Sequence, residues 1–197
     1  MRLKYKTYYN GALEIYYRRN RDKLLKKYIY PYVKDCSEAS KRIECWCNFS
    51  YECEIINNIK INQISINNSG LSVELHQSLI KRIPHQRGEK QNSFLKELNI
   101  ALNCAWEKGL VHGDLNRKNI LLTKEGYRVV DIEPLLRVPL GNNKFVLRTT
   151  HPYLAQEDRK NQTISQASDQ LGFDCFAAWI RGEVENPAMA SPHLPPL

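Results

Sequence analysis

Aromatic residues interrupted by charged and polar ones run along Lys4–Tyr9 and again along Ala12–Arg19, with Asn10-Gly11 between the two runs. Asn-Gly supplies the two positive-φ positions of a tight turn, so this stretch predicts a β-hairpin of aromatic-rich strands. A third strand is predicted over Leu24–Tyr30. The period then lengthens: Ile43, Trp46, Phe49, Cys53 and Ile56 recur at spacings of three and four, behind Asp35 and Glu38 placed like a capping box. That is the pattern of a long amphipathic helix. Two short runs, Gln63–Ile66 and Leu71–Leu75, flank Asn-Asn-Ser-Gly and predict a second hairpin. The order over the first 75 residues reads β-β-β-α-β-β.

Beyond Asn92 the helical period returns through Phe94, Leu95, Leu98, Ala101, Leu102, Ala105 and Trp106, and Gly109 is placed to end it as a left-handed cap. Ser168-Asp169 is expected to open a further helix that carries Phe173, Phe176, Ala177 and Ile180 on one face. The stretch 185–197 contains four prolines and reads as an irregular tail.

Between these helices stands a hairpin signal: Ile120-Leu121-Leu122, then Lys124-Glu125-Gly126, then Tyr127–Val130. A three-residue loop over Lys124-Glu125-Gly126, with Gly126 left-handed, sets Asn119 directly opposite Asp131. Opposed side chains have Cβ atoms roughly 5 Å apart, so an amide oxygen and a carboxylate there can share a hard cation such as magnesium. Asp114, five residues before Asn119, adds a carboxylate at the same end of the hairpin, suited to orienting and deprotonating an attacking hydroxyl.

Composition narrows the class. A chain of 197 residues, 42% of them hydrophobic, holds one domain or two small lobes. Residues 1–42 carry twelve Lys or Arg against four acids, while the rest carries seventeen of each, so the whole formal charge of +8 is N-terminal. Such a basic lobe can cover nucleotide phosphates or meet an acidic partner; no motif points to nucleic acid. The cysteines at 36, 45, 47, 53, 104 and 175 lack paired metal-ligand spacing and read as reduced thiols. No run of about 18 apolar residues is available to span a bilayer, and the N-terminus lacks the apolar core of a secretory signal, so a cytoplasmic protein is expected.

The segment HGDLNRKNILL, followed by VVDIEP, resembles the catalytic and metal-binding loops of the protein-kinase-like superfamily. The resemblance implies an α+β, bilobal fold: a β-rich N-lobe with one helix over 1–77, an abbreviated, mainly helical C-lobe over 78–184, and a Pro-rich tail over 185–197. It implies Asp114 as catalytic base, Asn119 and Asp131 as magnesium ligands, and His112 as a packing residue behind the site. Gly11 is the one glycine where the family's phosphate loop should lie, and Gly113 takes the place of the arginine common in protein kinases. Asn116 takes the place of the usual lysine, so neutralisation of the transferred phosphoryl falls to Lys118 or Arg117, with Lys118 preferred. YECEIINNI is similar to the family's ion-pairing helix, which makes Glu52 the partner of a strand lysine; lying three after Phe49 and four before Ile56, Glu52 is expected on the apolar face, and alternation favours Lys26 over Lys27 as its partner.

Downstream, RTTHPYLAQED resembles the end of an activation segment, with Thr150 near the acceptor and Glu157 closing it, and Asp169 anchoring the catalytic loop from beneath. The implied activity is transfer of the γ-phosphate of Mg-ATP to a Ser or Thr hydroxyl of a protein. A pseudokinase binding module and a small-molecule or sugar kinase stand as alternatives. The short C-lobe is also similar to abbreviated kinase-like effectors that some bacteria deliver into host cells.

Overall fold

The computed structural model describes residues 4–8, 13–20, 23–30, 36–56, 59–67, 70–131, 137–140, 144–147, 153–161 and 164–190. The chain divides into two compact units, Met1–Ile80 with Pro134–Val146, and Lys81–Glu133 with Leu147–Leu197. Among the described residues no helix is long and apolar enough to cross a membrane.

The first unit is a five-stranded antiparallel sheet with one helix. Its strands are β1 (Lys4–Tyr8), β2 (Leu13–Asn20), β3 (Lys23–Tyr30), β4 (Ile59–Asn67) and β5 (Gly70–Ser78), in the order β1-β2-β3-β5-β4. Tyr8 pairs with Leu13, which centres the connection on Asn10-Gly11 as the sequence predicts; the turn itself, and with it Gly11, lies outside the described residues. Val73, Leu75 and Gln77 are the buried positions of β5, and they stand opposite Tyr28, Lys26 and Leu24 of β3. Lys26 therefore belongs to the buried face of the sheet and Lys27 to the other, since residues opposed across a ladder share a face.

The helix α1 (Cys36–Glu52) packs beside β4 and buries Trp46, Cys47, Phe49 and Ser50. Asp35, expected as its cap, lies outside the described residues. Glu52 is the last helical residue and is exposed. The expectation that it shares the apolar face fails, because the helix ends before a regular turn relates it to Ile56.

The second unit is mainly helical, with α2 (Asn92–Glu107), α3 (Gln156–Asn161) and α4 (Gln166–Arg181) beside the hairpin of β6 (Ile120–Thr123) and β7 (Gly126–Val129); α2 and α4 pack on β7. Two further strands, β8 (Arg137–Leu140) and β9 (Lys144–Leu147), pair as a separate ribbon that, all but Leu147, falls in the first unit. Gly109 ends α2 with φ +70°, and its N–H and that of Leu110 satisfy the last helical carbonyls, as Gly182 with φ +86° does for α4. The opening of α4 lies earlier than expected: Ser165 is its cap, accepting from the Ala167 N–H at 3.2 Å, so Asp169 sits inside the helix. Part of the expected tail is regular, because Pro187–Ala190 form a short 3₁₀ turn that packs on α4.

An aromatic cluster fills the core of this unit. Tyr127 meets Phe94 and Phe176 edge to face at centroid distances of 6.0 and 5.3 Å. Its hydroxyl is buried without a hydrogen-bond partner among the described residues, and burial pushes its pKa well above the usual tyrosine value. An unmet buried hydroxyl costs about 1–3 kcal/mol, whereas its replacement by a ring hydrogen leaves the packing intact. Tyr127→Phe is accordingly expected to raise stability by about 1 kcal/mol, read as a higher denaturant midpoint at unchanged slope; a lower midpoint would show that the hydroxyl is satisfied.

Candidate active site

The loop between α2 and β6 is bracketed by its own side chains. The carbonyl of Asp114 accepts the amide N–H groups of both Asn116 and Asn119 at 2.8 Å. Asn116 Oδ1 accepts from the Lys118 N–H at 2.9 Å, and the Asn116 carbonyl accepts from the N–H groups of Asn119 and Ile120. Asn116, singled out in the sequence only as a missing lysine, is thus the loop's internal brace, 4% exposed. Asn119 also directs Nδ2 toward Asp114 Oδ2 at 3.3 Å, which turns its amide oxygen away from Asp114.

The loop is held from below by Asp169, 1% exposed in α4. Its Oδ2 accepts from the His112 N–H at 2.6 Å and the Trp106 indole N–H at 3.1 Å, and its Oδ1 from the Gly113 N–H at 2.7 Å. Burial pushes this carboxyl above the usual aspartate range, and the N–H donors oppose that shift. Gly113 has φ +80°, a conformation that suits glycine and strains an arginine. His112 accepts the Asp114 N–H at Nδ1 (3.2 Å) and donates from Nε2 to the Val130 carbonyl (2.9 Å), the arrangement of the Nε2–H tautomer. The histidine expected to pack behind the site thereby ties the loop to the end of β7.

Sequence spacing alone misses Gly172. A Cβ there would overlap the Leu115 carbonyl, so α4 presses its backbone against the residue that follows Asp114. Asp169 and Gly172, three apart, are the signal: one helical face offering an acceptor and a gap.

The register of β6 and β7 corrects the expected opposition. Thr123 pairs with Gly126, leaving Lys124-Glu125 as a two-residue loop, and the Val130 N–H bonds the Asn119 carbonyl at 2.8 Å. Asn119 therefore lies opposite Val130 rather than Asp131. The cause is the Thr123 hydroxyl, which accepts from the Glu125 N–H at 3.1 Å and donates to the Gly126 carbonyl at 2.9 Å, closing the turn one residue early. Asp131 then leaves the strand with φ +59°, the one non-glycine in the left-handed region among the described residues. Among those residues no three His, Cys, Asp or Glu side chains gather as a metal cluster. Magnesium is commonly held by one or two protein oxygens with phosphates and water, and the amide and carboxylate oxygens of Asn119 and Asp131 are of the right hardness for it.

The remaining expected residues are dispersed. Arg117 lies over the Trp179 ring, 5.0 Å from its centroid, and Lys118 is exposed. Lys26 and Glu52 belong to the first unit, and Thr150 lies outside the described residues. Glu157 is exposed and accepts a local amide from Asn161 at 2.7 Å. Its neighbour Asp158, 4% exposed, is what ties the segment to α4: Oδ2 accepts from the Ser165 N–H (3.0 Å), the Ser165 hydroxyl (2.7 Å) and the Ser168 hydroxyl.

Removing the gap should be costly. Alanine in place of a mid-helix glycine gains about 1 kcal/mol of helix propensity, but overpacking against a fixed carbonyl costs about 1–3 kcal/mol or more. Gly172→Ala is expected to destabilise the protein by about 2 kcal/mol, measured by urea denaturation; a stability gain would mean that α4 and the loop do not meet there. Asp169→Ala, which orphans three buried donors, is expected to cost about 3 kcal/mol or more by the same measurement.

Comparison with known proteins places this architecture. No family model matches the chain, and no curated protein does. Solved structures do: the kinase domain of PknI from Mycobacterium tuberculosis superposes with a TM-score of 0.53 at 14% identity, covering 94% of this chain and 73% of that one. A cysteine-to-alanine point mutant of the same domain gives 0.54 at 12% identity, covering 100% and 80%. With a strand-rich first unit, a helical second unit and a loop braced on a buried aspartate, the chain has an α+β, protein-kinase-like fold.

Proposed function

We propose that this chain is an ATP-dependent phosphotransferase that passes the γ-phosphate of Mg-ATP to a Ser or Thr hydroxyl of a protein. The observation that carries the reading is the braced loop, which holds the Asp114 carboxylate and the Asn119 amide together in one segment. Asp114 accepts the proton of the attacking hydroxyl and orients it, with Asn119 Nδ2 holding one carboxylate oxygen in place. Asn119 and Asp131 are the residues that would hold magnesium; Mg-ATP supplies the phosphoryl group and neutralises its developing charge. The left-handed backbone at Asp131 supports this role, since strain of roughly 1–3 kcal/mol at a residue of suitable chemistry marks a position retained for function. Lys118, next to Asn119 in sequence, is the cation suited to neutralising the transferred phosphoryl.

The one-residue register shift favours a second reading, a kinase-like binding module, because the metal pair no longer rests on direct opposition. Two measurements separate them. With labelled ATP and magnesium, the wild type is expected to label itself or an added protein, and Asp114→Ala to lose roughly 100-fold or more in rate, within the range for loss of a general base. Equal labelling by the variant would sink the assignment. Mg-ATP at about one hundred times its Kd should stabilise an enzyme by about 2.7 kcal/mol, and an absence of thermal shift in wild type selects the binding module.

A further inference from the structure

A cavity of about 580 Å³ opens on the second unit beside the braced loop. Arg82, Arg117 and Lys118 line it, together with an apolar wall that includes Ile83, Leu121 and Trp179, and no acidic side chain among the described residues does so. None of these three cations has an ion-pair partner among the described residues. The rim is built rather than loose. Ile83 donates to the Leu122 carbonyl at 2.8 Å, and Arg87 donates to the carbonyls of Trp179 (2.9 Å) and Val184 (2.7 Å). His85, also in the lining, has its pKa held low first by burial and, to a smaller extent, by the charges of Arg117 and Arg82.

Three cations that line one concavity without an acidic partner among the described residues repel one another, and an anion relieves that repulsion. The kind of anion follows from Trp179. Arg117 and Arg87 lie over its ring at 5.0 and 5.8 Å, so the indole face is spoken for by guanidinium groups and is not offered as a platform for a nucleobase. Carboxylates suit the guanidinium fork, and the apolar wall suits neighbouring aliphatic side chains. Arg117 and Lys118 follow Asp114 by three and four residues. The Cα atoms of Asp114 and Arg117 can be no more than roughly 11 Å apart, a span that an extended peptide covers in three to four residues.

We propose that this cavity binds acidic side chains of the acceptor protein, and so selects hydroxyls with an aspartate or glutamate within about four residues. The substrate role rests on the phosphotransfer reading above; the binding itself does not. The test uses fluorescence anisotropy without nucleotide. A labelled peptide carrying one serine among glutamates is compared with its glutamine counterpart and with a single-stranded oligonucleotide, on wild type, Arg82→Glu and Arg82→Lys. The basic first unit attracts acidic peptides on its own, so the change on mutation is the reading that counts.

The expected result is at least tenfold weaker binding of the acidic peptide by Arg82→Glu, near wild-type binding by Arg82→Lys, and at least tenfold weaker binding of the glutamine peptide by wild type. Acidic-peptide affinity unchanged in Arg82→Glu, equal affinity for the two peptides, or preference for the oligonucleotide would each overturn the proposal. Arg82 is exposed, and Arg82→Lys keeps its charge, so loss in both variants alike is also a negative result. Cavity-dependent binding without phosphate transfer would leave the binding site standing and remove the kinase reading.

Discussion

One buried carboxylate organises the second unit. Moving an ionised aspartate out of water costs several kcal/mol, and Asp169 recovers that cost only because three N–H groups converge on it. Those donors come from α2 through Trp106 and from the loop through His112 and Gly113, while the acceptor belongs to α4. The interaction therefore fixes two helices and the loop at once. It also explains the neighbouring glycines: Gly113 turns its N–H toward the carboxylate at φ +80°, and Gly172 lets α4 come close enough for the bonds to form. Once the loop's base is held, the two asparagine amides on the Asp114 carbonyl fix its crown.

Features with local causes were legible in the sequence. The strand alternation that assigns Lys26 to the buried face, the Asn10-Gly11 centring of the first hairpin and the Gly109 cap each depend on residues within a few positions. The protein-kinase-like, α+β architecture was likewise readable from the loop motif and the order of elements. What escaped depends on side chains choosing between close alternatives. Gly126 has the positive φ of +120° that a three-residue loop calls for, yet the Thr123 hydroxyl closes a two-residue loop and takes that glycine into the strand. Glu157 and Asp158 are adjacent acids on a six-residue helix, and rotation of about 100° decides which one faces α4. No periodicity in so short an element could reveal it.

Those misses share a physical origin. In each, a short polar side chain competes with the backbone for the same hydrogen-bonding groups, as Thr123, Asn116, Ser165 and Asp158 all do. The apolar pattern records that competition only through register: the two-residue loop sets Ile120 and Leu122 against Val129 and Tyr127, where a three-residue loop would set Leu122 against Arg128. The two alternatives for the β6–β7 loop differ by one residue, and one residue is enough to change which side chain faces Asn119.

The division of labour within the loop bears on what can be inferred from its intactness. Asp169, Gly172, His112 and Asn116 are all accounted for by folding, and a chain with no chemistry to perform has the same reason to keep them. Asp114 differs. Its carbonyl, not its carboxylate, takes both 2.8 Å amide bonds that close the loop, while the carboxylate receives Asn119 at 3.3 Å. Truncating that carboxylate leaves the brace in place, so Asp114 is the position where loss of stability and loss of chemistry come apart. Under the phosphotransfer reading proposed above, that separation is what a catalytic base requires, since its side chain must meet a substrate.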